Sequence, residues 1–90
     1  MPVMETIKML NEQMDKVVYD LLETIENKKK LNDVLVYGNY SYNMGKYYGL
    51  LKAMEKIDMD SMIERHEQDK AMITSCFDWN DKLYRKLKGE

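Results

Sequence analysis

The chain has 90 residues, of which 44% are hydrophobic and 33% charged, and its formal net charge is −2. This length suffices for one small domain, and the apolar content is that of a folded protein rather than a disordered one. The acidic balance, with a pI near 5.4, excludes a chain-wide basic field of the kind that binds nucleic acid. A single cysteine excludes an internal disulfide framework and a cysteine-rich zinc site.

The sequence also predicts where the protein resides. No apolar run approaches the roughly 20 residues that span a bilayer, and the first nine residues lack the apolar segment of a secretory signal. A lone thiol is typical of a reducing compartment. We therefore expect a cytoplasmic protein without membrane contact.

Residues 3–30 are predicted to form a long first helix. Apolar residues recur there at helical spacing, at Ile7, Leu10, Met14, Val17, Val18, Leu21, Leu22 and Ile25. Acidic residues precede the lysines at 28–30, an order that suits the helix dipole. Residues 31–37 are predicted to be the end of this helix or a packed connection, because the apolar run at 34–36 has no second strand-like run to pair with. Gly38 and Asn39 form a turn signal.

Residues 40–57 are predicted to form the second helix, along which two series run. The first has the alternating spacing of a coiled-coil seam: Tyr37, Tyr40, Met44, Tyr47, Leu51 and Met54. In the second, every fourth residue is small: Ser41, Gly45, Gly49 and Ala53. A helical glycine costs about 0.8–1 kcal/mol relative to alanine, and this cost favours the close approach of another helix to the small residues. The alternative is that the glycines break the helix.

A third helix is predicted over residues 61–87, after a boundary at 58–60. Either Asp60 or Ser61 is expected to be its N-cap, and Ser61 with Glu64 fits a capping box. One stripe along it contains Ile63, His66, Lys70, Ile73, Phe77, Tyr84 and Leu87, flanked by Met62, Met72, Cys76, Trp79 and Leu83. Gly89 follows the last turn, where a terminating glycine is expected.

The sequence thus predicts an all-α fold, a three-helix hairpin or bundle in one domain of residues 1–90. Long first and third helices leave apolar surface uncovered in so small a monomer, so self-association, most simply as a dimer, is predicted. The expected interface is the seam of Tyr40, Met44, Tyr47, Leu51 and Met54, or the face that carries Trp79. The other residues predicted to pack helices or join copies are Ser41, Gly45, Gly49, Ala53 and Phe77.

Residues that usually carry catalysis are scarce. The single histidine, His66, and the single cysteine, Cys76, would lie about 15 Å apart along a straight helix, too far to act as a pair. Neither a phosphate-binding glycine loop nor the Glu-x-x-His pairs of a di-iron bundle is present. The sequence therefore predicts a protein that is not an enzyme and has no metal or cofactor.

Five of the seven tyrosines lie in residues 37–48. Tyrosine is enriched at interfaces because it combines a rigid amphipathic ring with a hydroxyl. The candidate partner or ligand surface consists of Asn39, Tyr42, Asn43, Lys46, Tyr48 and Lys52. The tyrosines are compatible with a protein partner, a stacked nucleotide or closure of the protein's own core. The basic residues at 28–30 and 82–88 suit helix C-termini, and the negative net charge argues against nucleic-acid binding.

Residues 42–57, YNMGKYYGLLKAMEKI, resemble a helix of small helical proteins from bacteriophages and mobile elements of low-GC Gram-positive bacteria. The shared pattern, Gly-Lys-x-x-Gly-Leu-x-x-Ala-x-x-x-Ile, is matched by Gly45, Lys46, Gly49, Leu50, Ala53 and Ile57. The resemblance implies a non-enzymatic accessory or inhibitor protein that binds a host protein stoichiometrically in the host cytoplasm. Two alternatives stay open: a sponge whose oligomer pockets, lined by tyrosine and lysine, sequester a nucleotide, and a weak DNA-binding or architectural protein.

Overall fold

In a computed structural model, which describes residues 2–26 and 33–89, the chain forms three α-helices. α1 spans Pro2–Glu26, α2 spans Asp33–Ile57 and α3 spans Met59–Leu87. The prediction of an all-α, three-helix fold is confirmed. α1 and α3 each pack against α2 more extensively than they pack against each other.

Side-chain contacts define the directions of the helices. Tyr37 of α2 stacks on Tyr84 of α3, whereas Tyr47, ten residues later in α2, bonds Asp69, which precedes Tyr84. α2 and α3 are therefore antiparallel. The longest extent of the molecule is 51 Å, too short for α1 and α2 in line, since a helix of 25 residues is about 37 Å long. The chain therefore reverses between α1 and α2, so α1 and α3 are both antiparallel to α2 and run parallel to each other.

α2 begins earlier than the sequence predicted. The turn predicted at Gly38 and Asn39 is wrong, because both residues lie within the continuous helix Asp33–Ile57. Gly38 is flanked by Val36 and Tyr40, which are both buried. Because these two side chains are buried, the buried side of α2 extends past Gly38. The free energy of their packing outweighs the local preference of Gly38 and Asn39 for a turn. The glycines do not break the helix. The end of α1 predicted at residue 30 lies outside the described residues; within them, α1 extends to Glu26.

A single non-helical residue, Asp58, separates α2 from α3. It has an extended backbone (φ −157°, ψ 103°) and is the N-cap of α3. Its carboxylate accepts hydrogen bonds from the Asp60 amide at 3.3 Å and the Ser61 hydroxyl at 2.8 Å. The predictions of Asp60 or Ser61 as N-cap, and of a capping box at Ser61, are wrong, since Ser61 donates to the true cap instead. At the other end of α3, Gly89 has a φ of 83°, the left-handed conformation expected of a terminating glycine.

The apolar core lies mainly between α1 and α2. Its buried side chains are Leu10, Met14, Val17 and Leu21 of α1, Tyr40, Tyr47, Leu51 and Met54 of α2, and Cys76 of α3. Within the described part of α3, Cys76 is the one apolar side chain that is fully buried, whereas Arg65 and Asp69 are buried and charged. α3 therefore docks through polar contacts as much as through apolar ones.

The protein is elongated. Its principal extents are 51 × 21 × 17 Å, and its radius of gyration is 14.7 Å, against about 12 Å for a compact domain of this length. Helices of 25 to 29 residues side by side cannot close into a sphere, so much of each helix stays in contact with solvent.

Candidate functional site

A buried polar network joins the three helices. The Tyr47 hydroxyl donates a hydrogen bond to Oδ2 of Asp69 at 2.6 Å, and Nε of Arg65 donates to the same oxygen at 2.7 Å. All three side chains are buried. A buried carboxylate needs such donors, because removing it from water without them costs several kcal/mol, on the order of 5. The network thus satisfies the charge of Asp69 inside the protein.

Arg65 extends this network to α1. Its Nη1 donates to Oδ1 of Asp15 at 2.6 Å, and to the carbonyl and side-chain oxygens of Asn11 at 3.3 and 3.4 Å. Burial alone would lower the pKa of the guanidinium, but the hydrogen bonds to Asp15 and Asp69 outweigh it and raise that pKa. Arg65 is therefore always charged and holds α1 and α3 at a fixed distance.

The network also determines which side of α2 faces solvent. Because Tyr47 points inward to Asp69, residues on the opposite side of the helix point outward. We call this exposed surface the α2 outer face; its members are Gly38, Ser41, Tyr42, Gly45, Tyr48, Gly49 and Lys52. Tyr42 is 67% exposed and Tyr48 is 48% exposed. The Lys46 ammonium lies 5.2 Å from the centre of the Tyr42 ring, and the Tyr48 ring lies 6.5 Å from that of His66.

The three helical glycines on this face have no packing partner among residues 2–26 and 33–89. A Cβ atom added at Gly38, Gly45 or Gly49 would have no atom within 4 Å outside its immediate surroundings. The predicted close packing of a neighbouring backbone on Ser41, Gly45 and Gly49 is therefore absent among the described residues. The physical reason is that the small residues lie across the helix from the buried seam.

The α2 outer face carries no carboxylate. Residues 34–54 contain no aspartate or glutamate, and their charges come from Lys46 and Lys52. The exposed residues of α1, in contrast, include Glu5, Glu12 and Asp20. The face therefore combines exposed aromatic rings, a bare strip of backbone and a weak positive charge.

The residues predicted as an oligomer seam lie inside the protein. Tyr40, Tyr47, Leu51 and Met54 are buried in the core, and Met44 packs against it. They cannot contact a second copy while the helices stay together. Trp79 is half-buried with its ring 6.3 Å from that of Tyr40, Ala53 is half-buried, and Phe77 is 62% exposed.

Most of the predicted partner surface is accessible. Asn39, Tyr42, Lys46, Tyr48 and Lys52 are exposed. Asn43 is buried instead and donates from Nδ2 to the Asn39 carbonyl at 2.9 Å. Of the two predicted basic clusters, the one at 28–30 lies outside the described residues. In the other, Arg85 pairs with Asp81 at 3.1 Å and Lys88 lies over the Tyr84 ring.

Sequence reasoning missed Arg65 and Asp69, although a signal for them exists. They belong to a series with alternating steps of three and four residues that continues through the flank of the predicted stripe: Met62, Arg65, Asp69, Met72, Cys76, Trp79 and Leu83. This series, rather than the one from Ile63 to Leu87, contains the buried side of α3. Two charged residues in phase with buried apolar ones indicate a buried ion pair.

The single cysteine lies in an environment that lowers its reactivity. Cys76 is buried, its thiol lies 3.5 Å from the Met72 sulfur, and burial raises the pKa of the thiol. Such a thiol keeps its proton at neutral pH and is a poor nucleophile.

In residues 2–26 and 33–89, no three side chains of the metal-ligating types cluster to hold an ion. In those same ranges, none of the helices has a stretch long and apolar enough to span a bilayer.

Buried tyrosines make the protein sensitive to alkali. Burial raises the pKa of Tyr40 to about 12, and burial with the Asp69 hydrogen bond also raises the pKa of Tyr47. An unfolded tyrosine loses its proton near pH 10, so above that pH the unfolded state binds fewer protons than the native state. Stability should be constant up to about pH 8 and begin to fall as the unfolded Cys76 thiol ionises near pH 8.5, because burial also raises the pKa of that thiol in the native state. Above about pH 10 it should fall further, by at most about 1.4 kcal/mol per pH unit for each tyrosine.

Urea denaturation at pH 7, 9, 10 and 11 measures this dependence. Tyr40→Phe should flatten the decline, while Tyr42→Phe, at an exposed ring, should leave it unchanged. A decline that is equally steep in both variants would show that the buried tyrosine is not its source.

Comparison with known proteins finds no relative. No family model matches the chain, and neither a curated protein nor a solved structure matches it. The function must therefore be inferred from the geometry of the described residues. They form a small all-α protein whose most distinctive surface is the α2 outer face.

Proposed function

We propose that this chain is a non-enzymatic binding protein that acts by stoichiometric binding of a partner protein through the α2 outer face. Its resemblance to small phage and mobile-element proteins supports a host protein as the partner, bound in the host cytoplasm and inhibited by occupation. The absence of carboxylates from residues 34–54 favours a partner surface that is neutral or acidic.

The observation that carries the proposal is the set of exposed helical glycines. Each costs about 0.8–1 kcal/mol relative to alanine, and no packing within the described chain uses the space that Gly45 and Gly49 leave. Exposed Tyr42 and Tyr48 lie on either side of this strip. A partner helix can approach the bare backbone closely while the tyrosine rings cover its flanks, and this contact offsets the cost of the glycines.

A nucleotide-sequestering function is the second candidate, and one groove favours it. A groove of about 340 Å³ between α1 and α2 is lined by Gln13, Lys16, Val17, Lys46, Gly49 and Leu50. The lining is mainly apolar, and Lys16 and Lys46 are the charged groups in it that could contact an anionic ligand. A rise in melting temperature with a cyclic dinucleotide, lost in Lys16→Ala, would favour this function over protein binding.

A bulky substitution on the strip tests the main proposal. Gly45→Leu should fold at least as stably as the native chain, because the position is open and leucine is the better helix former. It should nevertheless reduce capture of the partner by about tenfold or more, since the side chain blocks close approach. Ala71→Leu is the matched control, because Ala71 is exposed on α3.

The measurement is quantitative capture from lysates of low-GC Gram-positive bacteria on the immobilised native chain and both variants, after circular dichroism has verified equal helicity. We expect a host protein that the native chain and Ala71→Leu retain and Gly45→Leu releases. Equal capture by the two variants, or no specific capture by the native chain from any of the lysates, would refute binding through this face.

A further inference from the structure

A second surface runs along α3 and adjoins the α2 outer face where Tyr48 lies against His66. It follows residues at alternating steps of four and three, of which His66, Ile73 and Asn80 are half-buried and the others exposed: Met59, Ile63, His66, Lys70, Ile73, Phe77, Asn80, Tyr84 and Leu87. Ile73 also packs against the apolar core. We call this series the α3 outer seam. Such spacing over the whole helix is that of a coiled-coil contact. Five of its members are large apolar or aromatic side chains that are exposed in the monomer: Met59, Ile63, Phe77, Tyr84 and Leu87.

The rest of the protein covers one edge of this seam. Tyr48 of α2 lies against His66, and Tyr37 of α2 stacks on Tyr84 with ring centres 5.9 Å apart. Phe77, between them, stays 62% exposed. The buried side of α3, with Arg65, Asp69 and Cys76, adjoins this edge of the seam. The seam is thus a continuous stripe with room for one further helix along its open edge.

The seam is nearly symmetric about its centre, Ile73. If a second copy of α3 is laid antiparallel across it, with the twofold axis at Ile73, each seam residue meets a suitable residue of the other copy. Ile63 lies opposite Tyr84, Met59 lies opposite Leu87, and His66 lies opposite Asn80. Lys70 lies opposite Phe77, where an ammonium over an aromatic ring is attractive. A twofold interface has this reciprocal form.

The charges of α3 favour the same orientation. Its first half exposes Asp60, Glu64 and Glu67 against one base, Lys70; its second half exposes Lys82, Arg85 and Lys86, with Lys88 just after it, against exposed Asp78 and half-buried Asp81. The first half is therefore acidic and the second half basic. Antiparallel pairing brings the acidic half of one copy to the basic half of the other, whereas parallel pairing opposes like charges.

The exposed area agrees with a missing contact. The monomer exposes 6383 Å², whereas a folded monomer of 10.8 kDa exposes about 5,500 Å². The elongated shape accounts for this excess, and the extra surface is enough for the roughly 800 Å² that each partner contributes to a stable interface of standard size.

We propose that two copies of this chain associate as an antiparallel dimer through the α3 outer seam, with the twofold axis at Ile73. This interface is distinct from the core seam of α2. It leaves Tyr42 and Gly45 of each copy accessible, so the dimer would present two α2 outer faces. The proposal does not depend on the proposed function.

Sedimentation equilibrium or light scattering after size exclusion tests the association. At up to about 100 μM, above the micromolar dissociation constants of weak specific interfaces, we expect twice the chain mass of 10.8 kDa. Phe77→Lys, which places a second ammonium opposite Lys70, should raise the dissociation constant by about tenfold or more, and it should keep native helicity because the ring is exposed. Tyr19→Lys, at an exposed ring of α1, is the matched control and should remain dimeric.

Disulfide crosslinking tests the orientation. Under mild oxidation, a mixture of Ile63→Cys and Tyr84→Cys should form the mixed dimer, because both positions are exposed. The native chain is the control, because Cys76 is buried. A monomer over the whole concentration range, a dimer that Phe77→Lys leaves intact, or a preference of Ile63→Cys for crosslinking to itself would overturn the proposal.

Discussion

Replacement of Arg65 by methionine is expected to lower the free energy of unfolding by about 3–5 kcal/mol. Methionine fills a similar volume, so the effect isolates the loss of the charge and its hydrogen bonds. Asp69 would remain buried with the Tyr47 hydroxyl as its remaining donor in the described contacts. A buried carboxylate without its cation is among the most destabilising features that a single substitution can create. Urea denaturation at one fixed protein concentration measures the change.

The matched control removes the whole network. In a triple variant, Arg65→Met is combined with Asp69→Leu and Tyr47→Phe, which leaves no buried polar group from these three residues. Its stability should lie within about 1–2 kcal/mol of the native protein or exceed it, because replacing an entire buried ion pair with apolar residues is often neutral or stabilising. If the triple variant is as unstable as Arg65→Met alone, the cost arises from lost shape rather than an unpaired charge.

Leu21→Ala is expected to destabilise the protein by about 2–5 kcal/mol, whereas Leu22→Ala should change its stability by only about 0.5 kcal/mol. The two leucines are neighbours in α1 with the same side chain. Leu21 is fully buried between α1 and α2, while Leu22 is 43% exposed. Truncation of Leu21 removes apolar burial and leaves a cavity in the core, and truncation of Leu22 does neither.

Thermal and urea denaturation of the two single variants, with helicity compared by circular dichroism, measures this difference. The pair tests the rotation of α1 about its own axis, because a rotation by one residue would exchange the roles of the two leucines. Equal effects of the two substitutions, or a larger effect of Leu22→Ala, would contradict the packing of α1 on α2.

These substitutions act on two different means of holding helices together. α1 and α2 share an apolar core, so their pairing depends on buried area and shape. α3 contributes one fully buried apolar residue within its described length, Cys76, together with Arg65 and Asp69. Its docking therefore depends on charge and on hydrogen-bond geometry. We expect α3 to be the helix whose attachment responds most to changes in charge.

Most of the exposed residues of the candidate partner surface could be identified from the sequence. The clustering of tyrosines singled out Tyr42 and Tyr48, which are exposed, because their phase on the helix differs from that of Tyr40 and Tyr47. Asn43 shares the phase of Tyr40 and Tyr47, three residues after one and four before the other, and it is buried like them; its polar side chain had placed it on the surface instead, but its amide is satisfied by the backbone of Asn39. An asparagine can be buried wherever a carbonyl lies one turn away, and composition does not reveal this.

The sequence alone determined the helical class, the stripes of α1 and α2, the break near residue 58 and the glycine that ends α3, because periodicity and capping are local properties. Tertiary structure decided that α2 begins at Asp33, since packing of Val36 carries the helix through Gly38. It also decided which of two adjacent stripes of α3 faces inward. The two stripes have the same number of apolar residues, yet the stripe with Arg65 and Asp69 is the buried one. Their charges can be buried only because Tyr47 and Asp15, distant in sequence, supply the matching hydrogen bonds.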